Sequence, residues 1–152
     1  MDLLDDTSLA NTLRAINNVD IFTGIGLTEQ QLLARKLSRV EYPADEIIIE
    51  QGGVGDQLYI ILKGKVSVTI KNKDEPRVEI ATLGPGEVFG EIAILKSIPR
   101  TARITTIEPC SFLTINAQDF LNIYQYFPKD ARDNMQIFIA KRLQNKHHRY
   151  QL

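Results

Sequence analysis

From Arg39 to Ile115 the chain changes its hydrophobic period, and nowhere in that stretch is there room for a long helix between apolar runs. The runs are short and rich in β-branched residues: Ile47 to Ile49, Leu58 to Leu62, Val66 to Ile70, Val78 to Leu83, Ile104 to Ile107 and Phe112 to Ile115. Val66-Ser67-Val68-Thr69-Ile70 alternates strictly, as a half-buried strand does. Turn signals divide the runs at Gly52-Gly53, Gly64, Asn72 to Asp74, Gly84-Pro85-Gly86, Pro99 and Pro109. Parallel strands need long crossovers, so this pattern excludes a doubly wound nucleotide fold and predicts an antiparallel sandwich or barrel.

Helical periodicity flanks this region. Leu9, Leu13 and Ile16 predict a short amphipathic opening helix. Thr28-Glu29-Gln30-Gln31 reads as a capping box, with Thr28 as N-cap, Gln31 reaching back, and a staple between Leu27 and Leu32. Leu33 and Leu37 continue that helix to about Ser38. Asn116 is a good N-cap with Asp119 in the first turn, and Ile115 with Phe120 repeats the staple. Pro128 then breaks or restarts the helix, and Ala131, Met135, Phe138, Ile139 and Leu143 form one stripe beyond it. One domain is expected over 1–152, with helices over 8–38, a barrel over 39–115 and C-terminal helices over 116–148.

Composition narrows the chemistry. The two histidines, His147 and His148, are adjacent near the C-terminus, where neighbouring positions on a helix make a poor chelate. They read as tail residues. A single cysteine, Cys110, excludes an intramolecular disulfide and a thiolate-rich zinc site, and reads as a small core residue. Serine or cysteine triads and multi-histidine metal sites therefore lack their parts, and no enzyme activity is expected. Lys plus Arg total 18 against 19 Asp plus Glu, which gives no sign of a nucleic-acid binder acting through overall charge. The acidic start, Met1-Asp2-Leu3-Leu4-Asp5-Asp6, does not resemble a signal peptide, and nothing approaches the roughly 20 apolar residues of a membrane span. A cytoplasmic location without membrane contact is expected.

The stretch Leu83 to Ile107 holds the most chemistry. Gly84, Gly86 and Gly90 permit close backbone approach, and Glu91-Ile92-Ala93-Ile94 suits a single helical turn with free amides. Arg100 follows Pro99 where the β pattern resumes, so its guanidinium can aim back toward those amides. Amides plus a planar cation suit one phosphate, and the acceptor-only Glu91 carboxylate suits a sugar hydroxyl. The plainer alternative is a Gly-Pro-Gly turn beside a structural Arg/Glu pair. The glycine spacing G-x-G-x-x-x-G also misses the dinucleotide fingerprint.

Phe89-Gly90-Glu91-Ile92-Ala93-Ile94-Leu95 followed by Pro99-Arg100-Thr101-Ala102 resembles the phosphate-binding cassette of cyclic nucleotide-binding domains. Gln51-Gly52-Gly53-Val54-Gly55-Asp56-Gln57-Leu58-Tyr59-Ile60-Ile61, Gly64-Lys65-Val66-Ser67-Val68, Ile21-Phe22 and the helix from Thr28 extend the resemblance to about Val19 to Leu143. It implies a mainly β fold, an eight-stranded antiparallel jelly roll with N-terminal helices and a C-terminal lid. It also implies roles: Gly90 and Ala93 amides on the cyclic phosphate, Glu91 on the ribose 2′-hydroxyl, Arg100 on a phosphate oxygen, and close contacts from Phe89, Ile92, Thr101 and Ala102. Phe138, Lys141, Arg142 and Leu143 are the candidates for capping the base, with Phe138 and Leu143 equally plausible as core. Thr101 is compatible with guanine, yet cAMP is expected before cGMP.

Two departures stand out. Ala44-Asp45 replaces the family's Gly-Glu before the first strand, which concerns a turn, and Arg103 replaces a smaller or neutral residue. If Ala102 faces the ligand, strand alternation turns Arg103 outward into solvent. Lys141, Arg142, Lys146 and Arg149 read as a solvated helix end suited to the dipole, or else as a basic partner-binding face.

The resemblance thus implies a cyclic-nucleotide sensor with no cofactor beyond its ligand, signalling to a protein effector through lid closure. The alternatives are an interaction module that has lost its ligand, and a sensor piece of a channel, kinase regulator or transcription factor. A cupin-type enzyme is disfavoured because the barrel segment has no histidine. A helix-turn-helix has no room in the chain as given. The initial Met and the extent of the resemblance favour a stand-alone protein.

Overall fold

The computed structural model describes the backbone of residues 2–151 and the side chains of residues 9–144. The chain begins with α1 (Asp2–Asn17), a 3-10 turn over Asp20–Phe22 and α2 (Leu27–Lys36). Eight strands follow: β1 (Ser38–Tyr42), β2 (Ile47–Ile49), β3 (Gln57–Lys63), β4 (Val66–Ile70), β5 (Val78–Leu83), β6 (Val88–Phe89), β7 (Arg103–Thr106) and β8 (Cys110–Asn116). A short helix, α3 (Glu91–Lys96), interrupts them between β6 and β7, and α4 (Ala117–Tyr124) and α5 (Lys129–Gln151) close the chain. No helix is long and apolar enough to cross a membrane, among the residues described.

The strands make two antiparallel sheets, in the orders β1-β8-β3-β6 and β2-β7-β4-β5. The two sheets face each other as the expected eight-stranded jelly roll, with helices on the outside of the first. That sandwich explains the sequence patterns. In β3, Leu58 and Ile60 join the helical core while Tyr59 and Ile61 join the core between the sheets. In β8, Leu113 and Ile115 go outward to the helices and Phe112 goes inward. A strand buried on both faces reads as a continuous apolar run. β4 has one solvated face, so Val66, Val68 and Ile70 are buried and Ser67 and Thr69 are not.

On the helical side, Ile16, Phe22, Leu33, Phe120, Phe127, Ala131 and Met135 pack over β3 and β8. Asn116 caps α4 as expected: its Oδ1 accepts from the Asp119 amide at 2.8 Å, and Ile115 and Phe120 share the core beside it. Pro128 separates α4 from α5. Cys110 is buried as a core residue.

Several boundaries differ from the sequence reading. The opening helix starts at Asp2, not residue 8; the sheets span Ser38–Asn116; and α5 runs to Gln151. α2 starts at Leu27, so its N-cap is Gly26 and not Thr28. The residue reaching back is Glu29, whose Oε1 accepts from the Gly26 amide at 2.9 Å. A glycine cap has no side chain to complete a box, so only this half exists. Leu27 is exposed and cannot staple to Leu32. The Ala44-Asp45 departure does fall in a turn, between β1 and β2, where Asp45 adopts φ 63°, a region that Asp tolerates better than most residues. The expectations for the side chains of Lys146, His147, His148 and Arg149 lie outside the described residues.

Candidate functional site

The site is built around α3. Gly90 precedes it with φ 92°. A Cβ there would sit 2.5 Å from the Gln57 carbonyl oxygen and 2.9 Å from Arg100 Nη1. Glycine is thus required twice over, by conformation and by space. α3 then buries Glu91, Ile92, Ala93 and Ile94 and ends at Ser97, φ 54°.

Arg100 returns the chain to this turn. Its amide donates to the Gly53 carbonyl and its carbonyl accepts from the Gly52 amide, both at 2.8 Å. The guanidinium is buried: Nη1 donates to the Gly90 carbonyl and Nη2 to the Gln57 carbonyl, each at 2.9 Å, with the exposed Asp56 carboxylate 3.9 Å away. Burial lowers its pKa from the ordinary value, and the Tyr59, Asp56 and Glu91 side chains oppose that shift. Guanidinium donors outnumber these two bonds, so capacity is left for a ligand anion. Phe89 is fixed beside them by stacking on Tyr59 at 4.8 Å and by an edge contact with Phe112.

Glu91 is 1% exposed. Burying a carboxylate is costly without a charged or hydrogen-bonded partner, and the partner here comes from α5: Arg142 Nη1 donates to Glu91 Oε2 at 2.7 Å. The Arg142 guanidinium also lies 4.7 Å above the Phe138 ring, a favourable cation–π arrangement. At the other end of α3, Lys96 Nζ donates to Gln136 Oε1 at 2.6 Å, and Gln136 Nε2 donates to the Tyr124 hydroxyl at 3.1 Å. α5 is therefore clasped to α3 at both ends. The Arg/Glu pair considered from sequence, Arg100 with Glu91, is not an ion pair: each has another partner.

These residues surround a cavity of about 630 Å³. Phe89, Gly90, Glu91, Ile92, Ala93, Arg100, Thr101 and Ala102 all line it. Of the α5 candidates, Phe138, Lys141 and Arg142 line it and Leu143 does not. Leu143 falls too far round the helix to share the face of Phe138 and Arg142. Sequence reasoning left out the opposite wall, Ile49, Val68, Ile80, Leu83 and Ile104, together with Glu87. Strand alternation held part of the signal, in Val68 on β4 and Ile104 on β7, whereas Ile80 and Leu83 are three apart and reach the same face only because β5 is irregular against β4. Arg103 does point away from the cavity, but it is paired rather than simply solvated, its Nε donating to Glu50 Oε1 at 2.8 Å.

Behind α3 lies a second, apolar groove of about 430 Å³, between the Gly52–Gly55 loop, Ile98 and Leu121. Ala93 lines both the groove and the cavity. Gly55 packs so closely on it that an added Cβ would overlap the Ala93 methyl. Among the described residues no cluster of three His, Cys, Asp or Glu is placed to hold a metal ion.

Comparison with known proteins gives a consistent picture. Residues 39–127 match the family described as cyclic nucleotide-binding domain. The chain is 33% identical over 117 residues to the potassium channel SKOR of Arabidopsis thaliana, covering 77% of this chain and 14% of that protein. It is 31% identical over 123 residues to the cyclic AMP receptor protein of Thermus thermophilus, covering 81% of this chain and 56% of that one. It thus spans less than two thirds of either relative. Among solved structures, the regulatory domain of Toxoplasma gondii PKA with cAMP superposes with a TM-score of 0.81 at 20% identity, over 90% of this chain and 51% of that chain. That likeness shows the jelly-roll fold.

Proposed function

The chain belongs to the cyclic nucleotide-binding domain family, and from that premise we propose that it is a regulatory sensor whose cavity takes a cyclic purine nucleotide, cAMP in preference to cGMP. The observation that carries this reading is the buried Arg100 guanidinium and the buried Glu91 carboxylate facing one cavity beneath α5. The volume, about 630 Å³, falls within the range of small-molecule sites. In this reading the Gly90 and Ala93 amides and the free donors of Arg100 hold the cyclic phosphate. Glu91 accepts the ribose 2′-hydroxyl with the oxygen that Arg142 leaves available. The base lies along the apolar wall of Val68, Ile80 and Ile104, with Phe138, Lys141 and Arg142 over it.

The module binds rather than catalyses. A ready-made phosphodiester needs amides, one guanidinium and one carboxylate, and among the described residues no His, Cys or Ser lines the cavity. A ligand that favours the state with α5 clasped over α3 shifts the population toward it, and α5 passes the change to a protein effector. Residues 1–152 form one such domain, acting in the cytoplasm. The relatives suggest two settings for it, a potassium channel and a cAMP receptor protein.

Thermal unfolding with cAMP, cGMP and AMP tests the reading. A ligand at about 1,000 times its Kd stabilises the fold by roughly 4 kcal/mol, and cAMP is expected to give the largest rise in Tm. No rise with either cyclic nucleotide removes the sensor reading. The Arg100→Lys variant is expected to show a smaller rise, with binding weakened and still measurable, because an ammonium keeps the charge and cannot make the planar two-point contact.

A further inference from the structure

We propose that Gln51 is a positioning residue for Arg100, acting through the turn that grips the arginine main chain. Arg100 lies in the segment between α3 and β7, outside any strand ladder, so something else must fix where its side chain starts. Two main-chain bonds do so, Gly52 N to Arg100 O and Arg100 N to Gly53 O, each 2.8 Å. The turn itself must then be fixed.

Gln51 provides that anchor. Its Nε2 donates to the Lys71 carbonyl at 3.1 Å, and its Oε1 accepts from the Lys71 amide at 2.8 Å. A carboxamide carries one donor group and one acceptor, so it can copy a main-chain pairing at the end of a strand. The position has a structural reason. The β4–β7 ladder ends with Thr69 opposite Arg103, and continuing the same register would set Lys71 opposite Thr101. Instead the chain before β7 bends toward the cavity, where Thr101 and Ala102 line the wall, and the Gln51 side chain pairs with Lys71. Glu50 adds a second anchor through its ion pair with Arg103. The turn is thus tied to β4 by Gln51 and to β7 by Glu50, while its glycines hold Arg100.

The consequence for ligand rests on the proposed phosphate role of Arg100. The anchoring itself does not, so the test has two arms. Amide hydrogen exchange is measured in the ligand-free protein for the wild type, Gln51→Ala and Gln51→Glu. Loss of both bonds in Gln51→Ala is expected to speed exchange at the Gly52 and Arg100 amides by about tenfold, with the β8 amides unchanged. Gln51→Glu keeps the acceptor but turns a carboxylate toward the Lys71 carbonyl, and it is expected to show the same localised effect. Exchange unchanged at both amides, or accelerated everywhere alike, overturns the proposal.

The second arm is a cAMP titration in the wild-type and Arg100→Lys backgrounds. Gln51→Ala is expected to weaken binding about tenfold in the first and less than about twofold in the second, because the effect travels through Arg100. Equal losses in both backgrounds overturn the proposal. A wild type that binds no cyclic nucleotide refutes the sensor reading, while the exchange arm still decides the role of Gln51.

Discussion

Replacing Arg142 with alanine tests whether α5 is held to the cassette by charge. Glu91 is 1% exposed and Arg142 keeps 21% of its side chain in water, so the carboxylate is the member with no recourse to solvent. Removing one partner of a buried pair costs about 3–5 kcal/mol. Arg142 is partly solvated and the end of α5 can swing aside to admit water, so the lower end applies. Loss of the contact with the Phe138 ring adds about 0.5 kcal/mol. A destabilisation of about 3.5 kcal/mol is expected, or a fall in Tm of roughly 7–14 °C for a domain of this size. Urea unfolding of the wild type, Arg142→Ala, Glu91→Gln and the double variant measures it. The double variant should be more stable than Arg142→Ala, because it no longer buries an unpaired charge. If Arg142→Ala stays within about 0.5 kcal/mol of wild type, or if the double variant is the least stable of the four, the ion pair does not hold the helix as argued.

Two further outcomes are expected. Gly90→Ala forces a side chain into φ 92° and toward the Gln57 carbonyl, so it should lower stability by about 2 kcal/mol and abolish cyclic-nucleotide binding; a normal denaturation midpoint would contradict the geometry. Arg103 beside Glu50 holds the Glu50 carboxyl below its ordinary value of 4.5. A depressed folded value stabilises above the unfolded one and is lost as pH falls through the folded one. The pair is exposed, so the effect is small, about 0.5 kcal/mol. The stability gap between wild type and Glu50→Gln should be present at neutral pH and vanish in acid; a gap that persists in acid rules out the ion pair as its source.

The outline of the fold was legible because burial writes itself into hydrophobic period. β4 with one wet face alternates, and β3 and β8 with two dry faces run apolar. β1 escaped because Ser38-Arg39-Val40-Glu41-Tyr42 is a largely exposed strand with two apolar residues, and β6 because two residues carry no period. Thr28 misled because local cap chemistry favoured it, whereas Glu29 reaches the Gly26 amide and starts the helix earlier. The cassette was legible as a contiguous string, and all eight of its predicted residues meet at the cavity. What joins them to the rest of the chain was not legible. The Glu91 bond to Arg142 and the Gln51 bonds to Lys71 tie residues far apart in sequence, and no local rule names such partners.

Ala93 belongs to two surfaces at once, the floor of the cavity and the roof of the groove behind it. The partition between the cavity and the groove is one turn of helix thick there, and Gly55, with no side chain of its own, lies flush against the Ala93 methyl. In the proposed function a ligand held by the α3 amides acts on a wall whose other side lines the groove. The cavity and the groove are thus two sides of one wall, a second place besides α5 where a change at α3 reaches the surface.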